Sequence, residues 1–129
     1  MELIHRELSY QVIGALYKVY NSLGYGYKEK EYQKAFEEEL KALGIKYKRE
    51  LYSKLSYNGK VITGFFVDFQ IDDKLIVELK VAEGIYQKHF NQVLAYLKNF
   101  NLDLGIVAAF TSQRIIIKRI INQRSAKLA

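Results

Sequence analysis

Residues 64–80 constrain the fold most, because they alternate like two strands around a turn and yet carry charge inside that alternation. The stretch reads GFFVDFQIDDKLIVELK, with a tight turn expected at residues 72–74. Asp68 interrupts the first apolar run, and Glu78 and Lys80 interrupt the second. A half-buried carboxylate is costly unless it is paired or binds a metal. These two strands are therefore predicted to carry a chemical site.

Hairpin register decides whether Asp68 and Glu78 can act together. Side chains alternate along a strand, so Glu78 and Lys80 share one face. A two-residue loop would turn Asp68 away from Glu78, whereas a three-residue loop or one bulge would pair them. We predict the second register, and side chains of Asp68 and Glu78 on opposite faces of the sheet would contradict it.

Composition narrows the class of protein. The 129 residues are 50% apolar and 26% charged, which is typical of one globular domain spanning 1–129. No apolar run is long enough to cross a membrane, and the absence of cysteine excludes disulfides and thiolate metal sites. With no secretory signal at the N-terminus, the chain is expected to be cytoplasmic. A net charge of +6 favours nucleic acid as a partner, although charge alone fits a merely basic protein equally well.

Apolar periodicity and turn residues give the order of elements. Helices are predicted at about 4–23, 28–43 and 85–100, and strands at about 45–55, 61–71, 75–81, 104–110 and 114–121. Asn58-Gly59 is a hairpin turn signal, and Gly64 indicates a bulge or bend. LGIVAAF at 104–110 fits a strand buried between helices or an interface strand. This order predicts an α/β or α+β sandwich on a mixed sheet.

The charged residues of these strands suit a metal site. Mg²⁺ prefers few protein carboxylates, such as Asp68 and Glu78, with waters and substrate phosphate oxygens completing its shell. Lys80 beside such an ion can orient or deprotonate a water and stabilise charge on a phosphate. Glu29 lies on the apolar face of the second helix and can bind the ion through water or bind a second ion. The alternatives are a solvated Glu78–Lys80 pair and a Glu29 that only favours the helix dipole.

Four motifs occur in order along the chain: GYKEKEY at 26–32, FFVDF, IVELK and NQVLAYL. The first fits the pattern G-x-x-E-x-x-Y, and over nearly its whole length the chain resembles the GxxExxY family of the PD-(D/E)xK nuclease superfamily. The resemblance implies an α/β fold with a restriction-endonuclease-like core, in which a mixed central β-sheet is flanked by helices. It also implies hydrolysis of DNA with Mg²⁺ or Mn²⁺. The superfamily's proline is absent, and Val67 precedes Asp68.

The resemblance also implies roles for single residues. Asp68 and Glu78 match the metal ligands, and Lys80, Glu29 and Gln92 match the catalytic and supporting residues. Gln92 and Tyr96 fit the motif Q-x-x-x-Y, for which the alternative is an ordinary polar helix face. Substrate contacts are predicted at four positions: Tyr32, Tyr96, His89 and Lys88.

Two further hypotheses concern partners. A non-catalytic module of the same fold, binding nucleic acid or another protein, is the alternative to a nuclease. The strands at 104–110 and 114–121 supply more apolar surface than a small monomer easily covers, so a homodimer is predicted.

Overall fold

A computed structural model describes residues 4–123, which form three helices and five strands. The elements are α1 (Arg6–Leu23), α2 (Glu29–Ala42), β1 (Tyr47–Tyr57), β2 (Lys60–Ile71), β3 (Leu75–Val81), α3 (Gln87–Phe100), β4 (Leu104–Phe110) and β5 (Ile115–Ile121). The strand order is β1-β2-β3-β4-β5, with β3 and β4 parallel and the other neighbours antiparallel. The predicted α/β fold, a mixed central sheet flanked by helices, is confirmed.

Two apolar cores lie on opposite faces of the sheet. Helices α1 and α2 pack on one face, against alternate residues of β3 such as Val77 and Leu79. Helix α3 packs on the other face, against Ile76 of β3 and Val107 of β4. Because both faces are covered, every residue of β4 is buried. Of the two alternatives predicted for LGIVAAF, the strand buried between helices is therefore confirmed, and the interface strand is not needed to explain its apolar residues.

The long β1–β2 hairpin turns at Asn58-Gly59, as predicted. Asn58 and Gly59 have φ values of 51° and 77°, the left-handed conformation that a two-residue hairpin turn requires. Of the bulge or bend predicted at Gly64, the bulge is wrong, because Gly64 pairs in register with Lys54 and the register shifts between Leu55 and Ser56. A different feature explains why a residue without a Cβ atom fits at position 64. A Cβ atom there would collide with the end of the Tyr52 side chain.

Close packing of α3 on β4 depends on Gly105, and this gives the first prediction. A Cβ atom on Gly105 would lie 2.5 Å from Cγ1 of Val93, so Gly105→Ala must displace the Val93 side chain or α3 itself. We expect the free energy of unfolding to fall by about 1–3 kcal/mol, measured by urea denaturation. In the matched control Gly14→Ala, the new methyl group meets no atom within 4 Å and lies inside α1. That variant should gain about 0.5–1 kcal/mol. Equal stability of Gly105→Ala and the wild type would contradict the close packing.

Candidate functional site

The register of the β2–β3 hairpin brings the predicted acidic residues together. Ile71 pairs with Leu75 and Phe69 pairs with Val77, which leaves a three-residue loop at 72–74. The second of the two registers considered above is therefore confirmed. If this register is continued by one residue pair beyond Phe69 and Val77, Asp68 lies opposite Glu78.

Beyond the Phe69–Val77 pair, carboxylates occupy the hydrogen-bonding positions between the two strands. The backbone N–H of Asp68 donates to Oε1 of Glu78 at 3.3 Å. The backbone N–H of Leu79 donates to Oδ2 of Asp68 at 3.0 Å. Strands β2 and β3 thus separate at this point, and two adjacent side-chain carboxylates line the opening.

A local change of strand geometry contributes to this opening. Val67 belongs to the core under α3, whereas Phe69, two residues later, belongs to the core under α1 and α2. Residues two apart in a regular strand share a face, so β2 is irregular at Asp68. Strand β1 is irregular at the same level, because Glu50 has a φ of 48° between the paired positions Arg49 and Leu51.

Glu78 is nearly fully buried, with 2% of its surface exposed. Burial, and then the neighbouring Asp68, raises the pKa of the Glu78 carboxyl far above its usual range, while Lys80 opposes the rise. Two carboxylates in such a place repel each other unless a proton or a cation lies between or beside them. Their oxygen atoms are the ligands that hard cations such as Mg²⁺ and Mn²⁺ prefer. Asp68 and Glu78 therefore suit a divalent metal by their chemistry and their proximity.

Lys80 is held in place by α3. Its Nζ donates to Oε1 of Gln92 at 2.8 Å. Gln92 lies one helical turn before Tyr96 on α3, and its side chain opposes the rise that burial causes in the pKa of the Tyr96 hydroxyl. The Tyr96 ring stacks on Phe65 of β2, with 4.6 Å between the ring centroids. A continuous set of contacts thus links Lys80 to the hairpin through α3.

Glu29 approaches the carboxylate pair from α2. Burial first, and then the charge of Asp68, raises the pKa of the Glu29 carboxyl, while Lys80 and a hydrogen bond from the Val81 backbone oppose the rise. Glu29 and Asp68 line one cleft. Within residues 4–123, no three His, Asp or Glu side chains lie close enough to hold one metal ion together. Glu29 thus lies near the carboxylate pair, in the same cleft as Asp68.

Two of the predicted substrate contacts lie inside the protein. Tyr32 is fully buried, its ring stacks on Phe110, and its hydroxyl donates to the Gly24 carbonyl oxygen at 2.6 Å. The prediction of a substrate contact at Tyr32 is corrected, because helix packing leaves no surface for a ligand to touch. Tyr96 is 4% exposed, so the stack on Phe65 leaves its ring no open face for a base.

The other two predicted contact residues line a second cleft. His89 and Lys88 lie there with Lys80 and Gln92. Nδ1 of His89 accepts a hydrogen bond from the Tyr86 backbone N–H at 3.1 Å, which helps to cap the start of α3. Burial lowers the pKa of the His89 ring, and the nearby lysines lower it further. Both residues remain predicted substrate contacts.

Three residues that line the Asp68 cleft were not predicted from the sequence to belong to the site: Gln33, Glu50 and Phe66. Phe66 lines this cleft with Asp68 and Glu29, and it is 62% exposed. A signal was present, since Phe66 is an aromatic residue two positions before Asp68 on the same predicted strand.

Comparisons with known proteins agree with this architecture. A family model described as the PD-(D/E)XK nuclease superfamily matches residues 6–120. The crystal structure of SSO0001 aligns with a TM-score of 0.58 and 21% identity over 77% of this chain and 52% of that chain. The chain thus spans about half the length of that protein, and the likeness concerns the fold. No curated protein matches the sequence. Within residues 4–123, the helices are too short or too polar to cross a membrane.

The carboxylate pair gives the second prediction. We expect Mg²⁺ or Mn²⁺ to raise the melting temperature of the wild type, because an ion bound only by the folded state adds about 2.7 kcal/mol at 100 times its dissociation constant. Asp68→Asn should lose this gain, and in a chelator it should be at least as stable as the wild type because the repulsion between carboxylates is removed. Differential scanning fluorimetry with and without metal measures both effects.

The matched control for this prediction is Asp73→Asn, a substitution in the exposed hairpin turn, where Asp73 pairs with Lys46 and Lys48. It should keep the full stabilisation by metal. A gain in Asp68→Asn as large as that of the wild type would exclude the carboxylate pair as the metal site.

Proposed function

Since this chain belongs to the PD-(D/E)XK nuclease superfamily, we propose that it hydrolyses phosphodiester bonds in DNA with Mg²⁺ or Mn²⁺ as cofactor. One observation carries the proposal. Two adjacent carboxylates, Asp68 and Glu78, lie where β2 and β3 separate, and the Lys80 amine is fixed beside them by Gln92. A nuclease needs these groups together: oxygen ligands for a metal and a cation near the phosphate.

In this proposal Asp68 and Glu78 hold the ion. A bound divalent cation supplies an activated water and neutralises charge on the phosphate. Lys80 orients the attacking water and stabilises the negative charge that develops on the phosphate oxygens. Gln92 keeps the Lys80 amine in position, and Glu29 contacts the waters around the ion from the α2 side.

The charge of the surface supports a nucleic acid substrate. The chain carries a net charge of +6, although the site itself is acidic. Exposed lysines flank both clefts, with Lys30 on the side of Glu29 and Lys88 on the side of His89. Cations at the rim of an acidic centre can hold the phosphates on either side of the bond to be cut.

We also propose membership of the GxxExxY family, because each residue of the motif has a structural reason. Gly26 has a φ of 118°, which favours glycine. Glu29 points to the cleft of Asp68. Tyr32 ties α2 to the preceding loop through its hydrogen bond to Gly24. The motif thus places one carboxylate at the site.

Cleavage assays give the third prediction. Labelled linear, single-stranded and branched DNA should be cut by the wild type when Mg²⁺ or Mn²⁺ is present. Asp68→Ala and Lys80→Ala should each lower the rate by about 100-fold or more, because the first removes a ligand of the ion and the second removes the cation that stabilises charge in the transition state. Lys41→Ala is the control, since Lys41 lies in the last turn of α2, at the end opposite Glu29. It should cut at the wild-type rate.

A wild type that binds DNA tightly without metal and cuts none of these substrates would reject the nuclease. That result would favour the non-catalytic binding module instead.

We also propose a homodimer. Of the two apolar strands on which this prediction rests, only β5 lies at an edge of the sheet, where a second copy could bind. Strand β4 is covered by helices of the same chain, so it needs no partner. Strand β5 lies at the edge of the sheet, and Ile121 is 37% exposed there. An apolar edge strand is a surface on which a second copy can pair. Light scattering at micromolar concentration should give the mass of two chains, and a uniform population of single chains would contradict this.

A further inference from the structure

Two aromatic rings lie exposed on the β1–β2 hairpin, beside the carboxylate pair. Tyr52 and Phe66 are cross-strand partners that are 50% and 62% exposed. Their ring centroids are 5.1 Å apart, and the rings are tilted by 55°. We propose that this pair, the aromatic platform, stacks on unpaired bases in a single-stranded segment of the substrate. The inference rests on the proposed nuclease function and adds the form of the nucleic acid to it.

The platform is continuous with the carboxylate pair. Phe66 precedes Asp68 by two residues on β2, which is about 7 Å along a strand. Phe66, Asp68 and Glu29 line the same cleft. A single nucleic acid strand can therefore place a phosphate near Asp68 while a neighbouring base rests on Phe66.

The platform is held rigidly from the other side of the hairpin. Phe65, the neighbour of Phe66, points the opposite way and stacks on Tyr96 of α3. Ser53, the neighbour of Tyr52, hydrogen-bonds to Asn99 of α3. These contacts fix the hairpin against α3 and leave the opposite face open. A hairpin that is already fixed on α3 loses little backbone freedom when a base binds to it, which favours affinity.

Gly64 leaves room for the Tyr52 ring in this arrangement. The Tyr52 side chain lies across the backbone of Gly64, at a place where any Cβ atom would collide with it. A glycine inside a strand weakens that strand, so its presence here needs a reason. The close approach of Tyr52 is that reason.

Charge on the hairpin favours a nucleic acid over an apolar protein partner. Between Leu51 and Val67 the sequence contains Lys54 and Lys60 and no acidic residue, and the acidic residues Glu50 and Asp68 lie just outside this segment, at the cleft. Stacking rings among cations are typical of surfaces that bind single strands, since every base has a face that can stack and every phosphate is an anion. In a regular duplex the bases already stack on one another, so the platform suits only an unpaired segment.

A second copy of this chain is a less suitable occupant of the platform. A symmetric dimer brings the same patch of both subunits together. Lys54 and Lys60 of the two copies would then face each other with no acidic residue of the outer hairpin to pair with them. This repulsion opposes self-association through the platform.

The experiment measures binding separately from cleavage. Fluorescence anisotropy follows a labelled oligothymidylate and a mixed-sequence duplex of the same length, in a chelator that prevents metal-dependent cutting. Phe66→Leu keeps an apolar side chain and removes the stacking ring, and we expect it to weaken single-strand binding by about 10-fold. The double variant Tyr52→Leu with Phe66→Leu should lose more, whereas Phe66→Trp should bind at least as well as the wild type. Duplex binding should be weaker than single-strand binding and unchanged in all variants.

The control is Tyr10→Leu, which changes a tyrosine that is 78% exposed on α1, outside both clefts. It should bind like the wild type. Equal binding of oligothymidylate by the double variant and the wild type would overturn the inference. So would a wild type without preference for single strands. A dimer that dissociates in the double variant at unchanged affinity would assign the platform to self-association and also overturn it.

Cleavage by the same proteins separates this inference from the proposed function. If the wild type cuts DNA with metal while the platform variants bind normally, only the platform is rejected. If the wild type never cuts but loses single-strand binding when Phe66 becomes leucine, the platform is supported and the nuclease is rejected.

Discussion

The separation of β2 and β3 at Asp68 and Glu78 is the feature on which the site depends. Backbone groups inside a sheet normally bond to one another, and here carboxylate oxygens accept two of those hydrogen bonds. The exchange keeps the backbone N–H groups satisfied while it opens the sheet. It also leaves two acidic groups adjacent in a largely buried place. That arrangement costs stability without a cation, and it is what a metal site requires.

The two helical layers complete the site from opposite faces of the sheet. Helix α2 brings Glu29 from one face, and α3 brings Gln92 to Lys80 from the other. Neither helix can shift far, because α3 packs directly on Gly105 and α2 is tied to its own loop by Tyr32. The same packing that forms the two cores therefore sets the distances between the chemical groups. Stability and the geometry of the site have a common origin.

Several features were predictable from local sequence, for identifiable reasons. Asn58-Gly59 allows left-handed backbone at both positions, so the first hairpin follows from its turn. The three-residue loop before Leu75 sets the register that pairs Asp68 with Glu78. Tyr32 shows the limit of this reasoning. A motif match indicates that a residue matters and does not indicate whether its side chain faces a ligand or the core, and at this position helix packing put the ring inside.

The sequence by itself determined the order of the elements and the mixed sheet, and it limited the β2–β3 hairpin to two registers, one of which pairs the two acidic residues. These properties depend on alternation, turn residues and loop length, which act over a few neighbouring positions. Only the tertiary structure decided that β2 changes face at Asp68, that Lys80 bonds to Gln92, and that Tyr52 and Phe66 lie open beside the cleft. Those outcomes depend on how α2 and α3 pack across the sheet, and contacts between distant segments leave no periodic signal in the chain.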